Sequence, residues 1–222
     1  MSHELRTPLN TIVGYTELLE LGVHGPLTEP QLEALGRIRR SHHHLLALVT
    51  NVLSFAQIDA GRVQYELQPL AVASAVTRVE ELIAPEIAAK QLRLRTPMPD
   101  PSLTVVADPD KLTQILLNLL SNAIKFTEPE GSITIRGEPG DGRVLIRVSD
   151  TGMGIPSDRL EEIFQPFVRV TRRLDRPKEG AGLGLAISRD LAVGMGGTLT
   201  VETELDVGST FTLALPGDAA RT

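Results

Sequence analysis

The chain has 222 residues, 41% hydrophobic and 23% charged, enough apolar side chains for one large core or two small ones and too many for wholesale disorder. With 22 Lys and Arg against 28 Asp and Glu, the net charge is −6, which argues against a partner held through nucleic-acid phosphates or an anionic membrane, and five Phe, two Tyr and no Trp leave few rings for base stacking. The absence of Cys excludes disulfides, thiolate metal sites and a cysteine nucleophile, and without an ~18-residue apolar run or an amino-terminal signal the chain reads as a soluble, cytoplasmic segment with no membrane contact of its own.

Leu5, Leu9, Ile12, Thr16 and Leu19 advance by four, three, four and three residues, a heptad seam on a helix. His24-Gly25-Pro26 breaks the seam. Thr28-Glu29-Pro30-Gln31 restarts it as a capping box with proline in the first turn. The second helix repeats the rhythm at Leu35, Ile38, His42, Leu45, Val49, Val52 and Ala56, is widened by Leu46 and Leu53, and ends at Asp59-Ala60-Gly61. Two antiparallel helices cannot cover stripes this wide, whereas a four-helix bundle formed by a homodimer can. His42-His43-His44 point about 100° apart and cannot all converge on one ion, which favours a structural role for them.

Beyond about Leu67 the texture changes to short strands and amphipathic helices. Strands are expected at 91–96, 104–107, 132–137, 143–150, 197–203 and 209–215, and helices at 71–90, 108–126, 157–164 and 183–194. Gly140-Asp141-Gly142 between two alternating runs marks a hairpin. The expected organisation is an all-α helical hairpin at residues 1–66, dimerising into a four-helix bundle, then an α+β two-layer sandwich at 67–222.

Four stretches carry candidate chemistry. In His3-Glu4-Leu5-Arg6-Thr7-Pro8-Leu9, helical spacing sets His3, Thr7, Asn10, Gly14 and Glu17 opposite the seam. An exposed imidazole is largely neutral at pH 7 and offers a lone pair, and the adjacent carboxylate can orient the ring and take its proton. Alone, such a pair is more often an ordinary surface histidine. Gln114, Asn118 and Asn122 at i, i+4 and i+8, with Lys125 further on, stripe a helix that is otherwise apolar. Unpartnered buried amides cost roughly 1–3 kcal/mol each, so the stripe should face water, a ligand or a hydrated cation. Amide oxygens together with ATP phosphates would suit Mg2+, with Lys125 neutralising phosphate charge; a solvated face is the plainer alternative.

Asp150-Thr151-Gly152-Met153-Gly154-Ile155 follows an alternating strand. A carboxylate there can accept a hydrogen bond from an exocyclic amine, and the glycines permit close backbone approach, although a strand-ending turn reads the same way. Gly180-Ala181-Gly182-Leu183-Gly184-Leu185-Ala186-Ile187 opens a helix whose first N–H groups can bind phosphate. The basic, aperiodic run from Arg169 to Glu179 before it reads as a lid over a triphosphate or as a solvated loop. The Gly-Lys-Ser/Thr ending of a P-loop is missing.

Taken in order, these stretches closely resemble the sensor histidine kinases of two-component signalling. Residues 3 to 9 resemble the phosphoacceptor box of that family, Leu116 to Thr127 its asparagine box, Asp150 to Ile155 its first glycine box, Ile163-Phe164-Gln165-Pro166-Phe167 its phenylalanine box, and Gly180 to Ile187 its second glycine box. Gly208-Ser209-Thr210-Phe211 matches a shorter terminal motif.

The resemblance implies an ATP-dependent protein-histidine kinase with a Bergerat ATP-binding fold, shared with gyrase, the ninety-kilodalton heat-shock chaperones and mismatch-repair ATPases. His3 would take the γ-phosphoryl group of ATP, Glu4 would assist proton transfer, and Thr7 would position water for phosphatase action on the partner. Asn122, with Asn118, would hold Mg2+, and Lys125 would touch phosphate. Asp150 would bind the adenine amino group with support from Thr210, and Gly152 and Gly154 would form the turn beside it. Gly182 and Gly184 would let the lid hinge, while Phe164 and Phe167 would anchor its base. The implied partners are a second copy of the chain and the receiver domain of a response regulator.

Family members usually carry several helical turns before the acceptor histidine, whereas here only Met1 and Ser2 precede it. The chain is therefore expected to be the catalytic core of a longer sensor, itself open to membrane anchorage, with an acceptor turn prone to fraying. Two other classes compete with this reading, an ATP-driven conformational clamp of the same nucleotide fold and a catalytically silent phosphotransfer module. The clamp needs a catalytic acid beside the asparagine box, and the silent module predicts damaged nucleotide motifs; neither feature is present.

Overall fold

A computed structural model describes residues 2–97, 100, 102–168 and 181–218, the side chains of 2–7, 9, 10, 43, 44 and 47 being left aside. Helix α1 runs from Ser2 to Glu20 and contains Pro8, which has no N–H to offer the Glu4 carbonyl. Helix α2, Glu29–Asp59, starts on the expected capping box: Thr28 N–H donates to Gln31 Oε1 at 2.8 Å, and a proline occupies the first turn. The two helices form a hairpin, clamped near its closed end by an Arg39–Glu20 ion pair at 2.8 Å. Its seam is divided. His42 and Thr16 are buried, whereas Ile38, Leu45 and Val52, seven residues apart, remain 46, 46 and 49% exposed.

The second unit is an α+β sandwich. Its elements are β1 (Gln68–Ala71), α3 (Val72–Ala89), β2 (Arg93–Arg95), β3 (Thr104–Ala107), α4 (Pro109–Phe126), β4 (Ser132–Gly140), β5 (Arg143–Asp150), α5 (Gly184–Gly194), β6 (Thr198–Glu204) and β7 (Gly208–Pro216). The main sheet has the order β2-β4-β5-β7-β6, with β2 and β4 parallel and the other neighbours antiparallel. Alternate residues of its central strands, Ile133, Ile135, Ile146, Val148, Phe211 and Leu213, turn to one face and meet Leu112, Ile115, Leu116, Leu119 and Leu120 of α4 and Ile187 of α5. This wholly apolar layer makes α4 a rigid platform. Among the described residues no helix is long and apolar enough to cross a membrane.

The sheet and the long helices fall where the hydrophobic periods place them, but three elements differ. The helix expected at 157–164 is instead a pair of 3-10 turns, Ser157–Arg159 and Glu162–Phe164. Only Ile163 and Phe164 are buried there, too few anchors to hold a full α-helix. The strand expected at 91–96 contracts to Arg93–Arg95, because Gln91 takes a left-handed φ of 56° to leave α3. The unforeseen strand β1 pairs antiparallel with β3, from Gln68 opposite Ala107 to Ala71 opposite Thr104.

The connection between the units packs on the sandwich. Val63 and Tyr65 lie against its core, and the Glu66 N–H donates to Asp108 Oδ2 at 3.0 Å. A Cβ on Gly194 would fall 2.0 Å from the Tyr65 hydroxyl, so the end of α5 is shaped to receive that ring. We therefore place the start of the sandwich near Arg62, a few residues ahead of the 66/67 boundary expected from composition. A fragment starting at Leu67 is expected to be about 1–2 kcal/mol less stable in urea melts than one starting at Arg62, from the loss of two half-buried side chains and one hydrogen bond. Equal midpoints would return the boundary to residue 67.

Candidate functional site

The candidate site is built at the carboxyl end of β5. Asp150 is the last residue of that strand and the register partner of Ser209 on β7. By strand alternation its side chain shares the helix-facing side with Val148 and Ile146. The carboxylate accepts the Gly152 N–H at 2.8 Å and is also engaged by the Ser209 backbone N–H. Burial raises its pKa, and these two hydrogen bonds offset that shift only in part.

Two glycines are required by the close packing around Asp150, one against its carboxylate and one against its backbone carbonyl. A Cβ on Gly152 would lie 2.7 Å from both Asp150 Oδ1 and the Phe126 carbonyl oxygen. Gly208 has φ +143°, and a Cβ there would sit 1.9 Å from the Asp150 carbonyl oxygen. Gly208→Ala is expected to cost about 3 kcal/mol or more, through strain and a backbone clash that no rotamer relieves. Thermal unfolding with and without nucleotide checks this; a melting temperature equal to that of the parent would refute it. Gly154 lies farther along the same loop, beside the Glu204 carbonyl.

The sheet register changes the expected partner of Asp150. Thr210 pairs with Ser149 and shares a hydrogen bond with its hydroxyl at 2.9 Å, on the opposite face of the sheet from Asp150. Ser209 occupies the position on the same face as Asp150. Its hydroxyl lies 3.0 Å from that of Thr203, which accepts the Ile155 N–H and donates to the Gly208 carbonyl, both at 2.9 Å. Thr203 thus fastens the first glycine loop to the β6–β7 end. Sequence reasoning missed Ser209 and Thr203, although the alternation of Leu199, Val201 and Thr203 against Phe211 and Ser209 carried the signal.

Helix α4 supplies the other wall. The Asp108 side chain caps it, accepting the Asp110 and Lys111 N–H groups at 3.0 and 3.1 Å. Asn118 and Asn122 are half-buried on one stripe, while Leu112, Ile115, Leu116, Leu119 and Leu120 are wholly buried. Asn118 Nδ2 donates to the Gly184 carbonyl at 3.3 Å and to Ser188 Oγ at 3.2 Å. Lys125 is exposed at the helix end, its Nζ 5.3 Å from the Phe126 ring centroid. Lys90 Nζ donates to the last carbonyls of α4, those of Ile124 and Lys125.

The phenylalanines of the loop part company. Phe164 is buried with the Arg189 guanidinium 5.3 Å from its ring centroid. Phe167 is 62% exposed, donates its N–H to the Gly182 carbonyl at 3.0 Å, and sets its ring edge-on to Phe55 of α2 at 5.8 Å. Gly182 and Gly184 therefore sit between the loop and the amide stripe. The expected lid from Arg169 to Glu179, with Gly180, lies outside the described residues. So do the side chains of His3, Glu4 and Thr7, whose backbone is helical in α1.

The arrangement sets an acceptor-only carboxylate and its glycines against the end of α4, and carries two amides farther back along the same helix. The donor set fits a nucleotide with its cation. Among the described residues no group of three His, Asp or Glu could hold a metal ion by itself, so a hard cation here would take amide oxygens and complete its shell with phosphate and water.

Residues 107–219 match the family model for the histidine kinase-, DNA gyrase B-, and HSP90-like ATPase, and residues 1–61 match that for the His Kinase A (phospho-acceptor) domain. The chain is 38% identical over 218 residues to the circadian input-output histidine kinase CikA of Synechococcus elongatus, covering 97% of this chain and 29% of that protein. It is 36% identical over 224 residues to the autoinducer 2 sensor kinase/phosphatase LuxQ of Vibrio parahaemolyticus, covering 97% and 26%. The solved structure of full-length ShkA in complex with AMPPNP superposes with a TM-score of 0.78 at 38% identity, covering 97% of this chain and 44% of that one. The chain thus spans between a quarter and a third of these two curated relatives. With a phosphoacceptor helical hairpin followed by an ATPase-type sandwich, the chain belongs to the histidine kinases of two-component signalling, of which it is the catalytic core.

Proposed function

We propose that the chain binds Mg2+-ATP in the cleft between β5, α4 and α5, phosphorylates itself on His3 and passes the phosphoryl group to an aspartate of a response-regulator receiver domain. The observation that carries this reading is the Asp150 carboxylate, half-buried at a strand end with Gly152 pressed against it. A half-buried carboxylate with open acceptor capacity matches an exocyclic amine such as that of adenine. Ser209, not Thr210, is the residue of β7 placed to support that contact. Gly154 lines the same loop.

At the other end of the cleft, Asn122 and Asn118 would hold Mg2+ through amide oxygen, and Lys125 would meet phosphate. When bound, the cation offsets charge on the phosphates. Gly182 and Gly184 would let the start of α5 approach the same phosphates, and the buried Phe164 would anchor the loop before them in the chain. In the transfer, a ring nitrogen of His3 bonds to the γ-phosphorus as its bond to the bridging oxygen breaks, ADP departs, and Glu4 takes the proton from the other ring nitrogen. Thr7, one turn from His3, would orient water when the phosphorylated regulator is hydrolysed, an activity paired with kinase function in the sensor kinase/phosphatase LuxQ. We place this segment in the cytoplasm, where ATP is available.

Incubation with γ-labelled ATP tests the proposal. Label that is acid-labile and base-stable is the expected result, and acid-stable or absent label overturns it.

The exposed heptad stripe of α2 supports homodimerisation into a four-helix bundle. Leu45→Asp would place a charge in that seam, and the dimer dissociation constant is expected to rise roughly 100-fold or more. An unchanged constant by sedimentation equilibrium would show that the stripe faces something other than a second copy.

A further inference from the structure

The nitrogen end of the Asn118 amide is engaged twice, by the Gly184 carbonyl at 3.3 Å and by Ser188 Oγ at 3.2 Å. A carbonyl oxygen can only accept, so the first contact exists in one orientation of the amide and becomes oxygen against oxygen in the other. Ser188 stands one helical turn beyond Gly184, so both partners belong to the first turns of α5. The serine is wholly buried beside Ile187 and Leu191, where an apolar side chain would pack as well and a hydroxyl without a partner would be costly. The Asn118 amide is the partner that gives this hydroxyl its place.

We infer that Ser188 is a positioning residue for the magnesium–nucleotide site: with the Gly184 carbonyl it occupies the nitrogen end of Asn118 and leaves the oxygen end as the ligand. The inference rests on the nucleotide reading above and adds a residue to it. It also accounts for an amide at position 118. A carboxylate is the better hard ligand for Mg2+, but one of its oxygens would face the Gly184 carbonyl with no proton between them. Asn118 therefore works as a two-ended part, its nitrogen reading the start of α5 and its oxygen serving the cation.

The test is calorimetric titration of the whole chain with ATP, in EDTA and in Mg2+, alongside melting temperatures. For Ser188→Ala the ratio of the two affinities is expected to fall about fivefold, with the melting temperature nearly unchanged. Asn118→Asp is expected to lose the Mg2+ enhancement as well, despite its stronger oxygen ligand. An unchanged ratio in Ser188→Ala, or a retained or increased enhancement in Asn118→Asp, would overturn the inference. So would a parallel drop of both affinities together with the melting temperature, which would make Ser188 a strut between α4 and α5 and nothing more. Should Ser188→Ala fail to fold, the Asn118→Asp ratio decides alone. Absence of ATP binding by the parent chain in both buffers would reject the nucleotide reading, and this inference with it.

Discussion

His3→Gln is expected to remove all acid-labile, base-stable label after incubation with γ-labelled ATP, while ATP affinity stays within about twofold of the parent. The reason is a division of labour between two units. Every proposed nucleotide contact lies on the sandwich, on β5 and the loop after it, on α4, at and just before the start of α5, and on the β7 register partner, and none lies on the hairpin. Glutamine keeps the length and polarity of the side chain but has no basic nitrogen lone pair with which to attack phosphorus. Label that persists in the variant, or that maps to His42, His43 or His44, would move the acceptor elsewhere. His42 is a poor alternative on structural grounds, since it is 6% exposed within the hairpin.

The parts legible in the sequence are those whose signal is local and periodic. The heptad steps of the two hairpin helices and the amide stripe of α4 follow from 3.6-residue geometry, and β4, β5 and β7 follow from strict alternation. The capping box fixed the start of α2 to within a residue. What escaped depends on contacts between segments far apart in the chain. Strand β1 contains a proline and has only four residues, and it exists because β3 lies beside it. Tyr65 and Gly194 fit each other across 129 positions of sequence with no local pattern in either place. The exchange of Thr210 for Ser209 is a matter of register: both hydroxyls stand in the same motif, and only the pairing of Asp150 with Ser209 shows which one shares a face with Asp150.

Asp150→Asn is expected to weaken ATP binding roughly 100-fold or more without unfolding the sandwich. The carboxylate presents acceptors only, and it already takes N–H groups from Gly152 and Ser209. An amide in its place must direct either its NH2 group at one of those donors or the same group at the adenine amine, and a donor meets a donor in both cases. The variant should nonetheless fold, because burial makes the charged form unfavourable at this position and a neutral side chain removes that penalty. The same environment sets the pH dependence. With its pKa raised by burial, Asp150 binds its proton more tightly in the folded chain than in the unfolded one, so this residue's contribution to stability grows as pH falls through the window between its folded pKa and the ordinary carboxylate value. Nucleotide binding runs the opposite way, since it requires the carboxylate. Affinity should hold at neutral pH and fall on acidification, beginning above the pH at which an ordinary aspartate would protonate. Calorimetric titration of both proteins from neutral to mildly acidic pH gives the comparison: a parent whose affinity falls towards that of Asp150→Asn supports the assignment, and equal affinities of parent and variant at neutral pH would remove Asp150 from the adenine site.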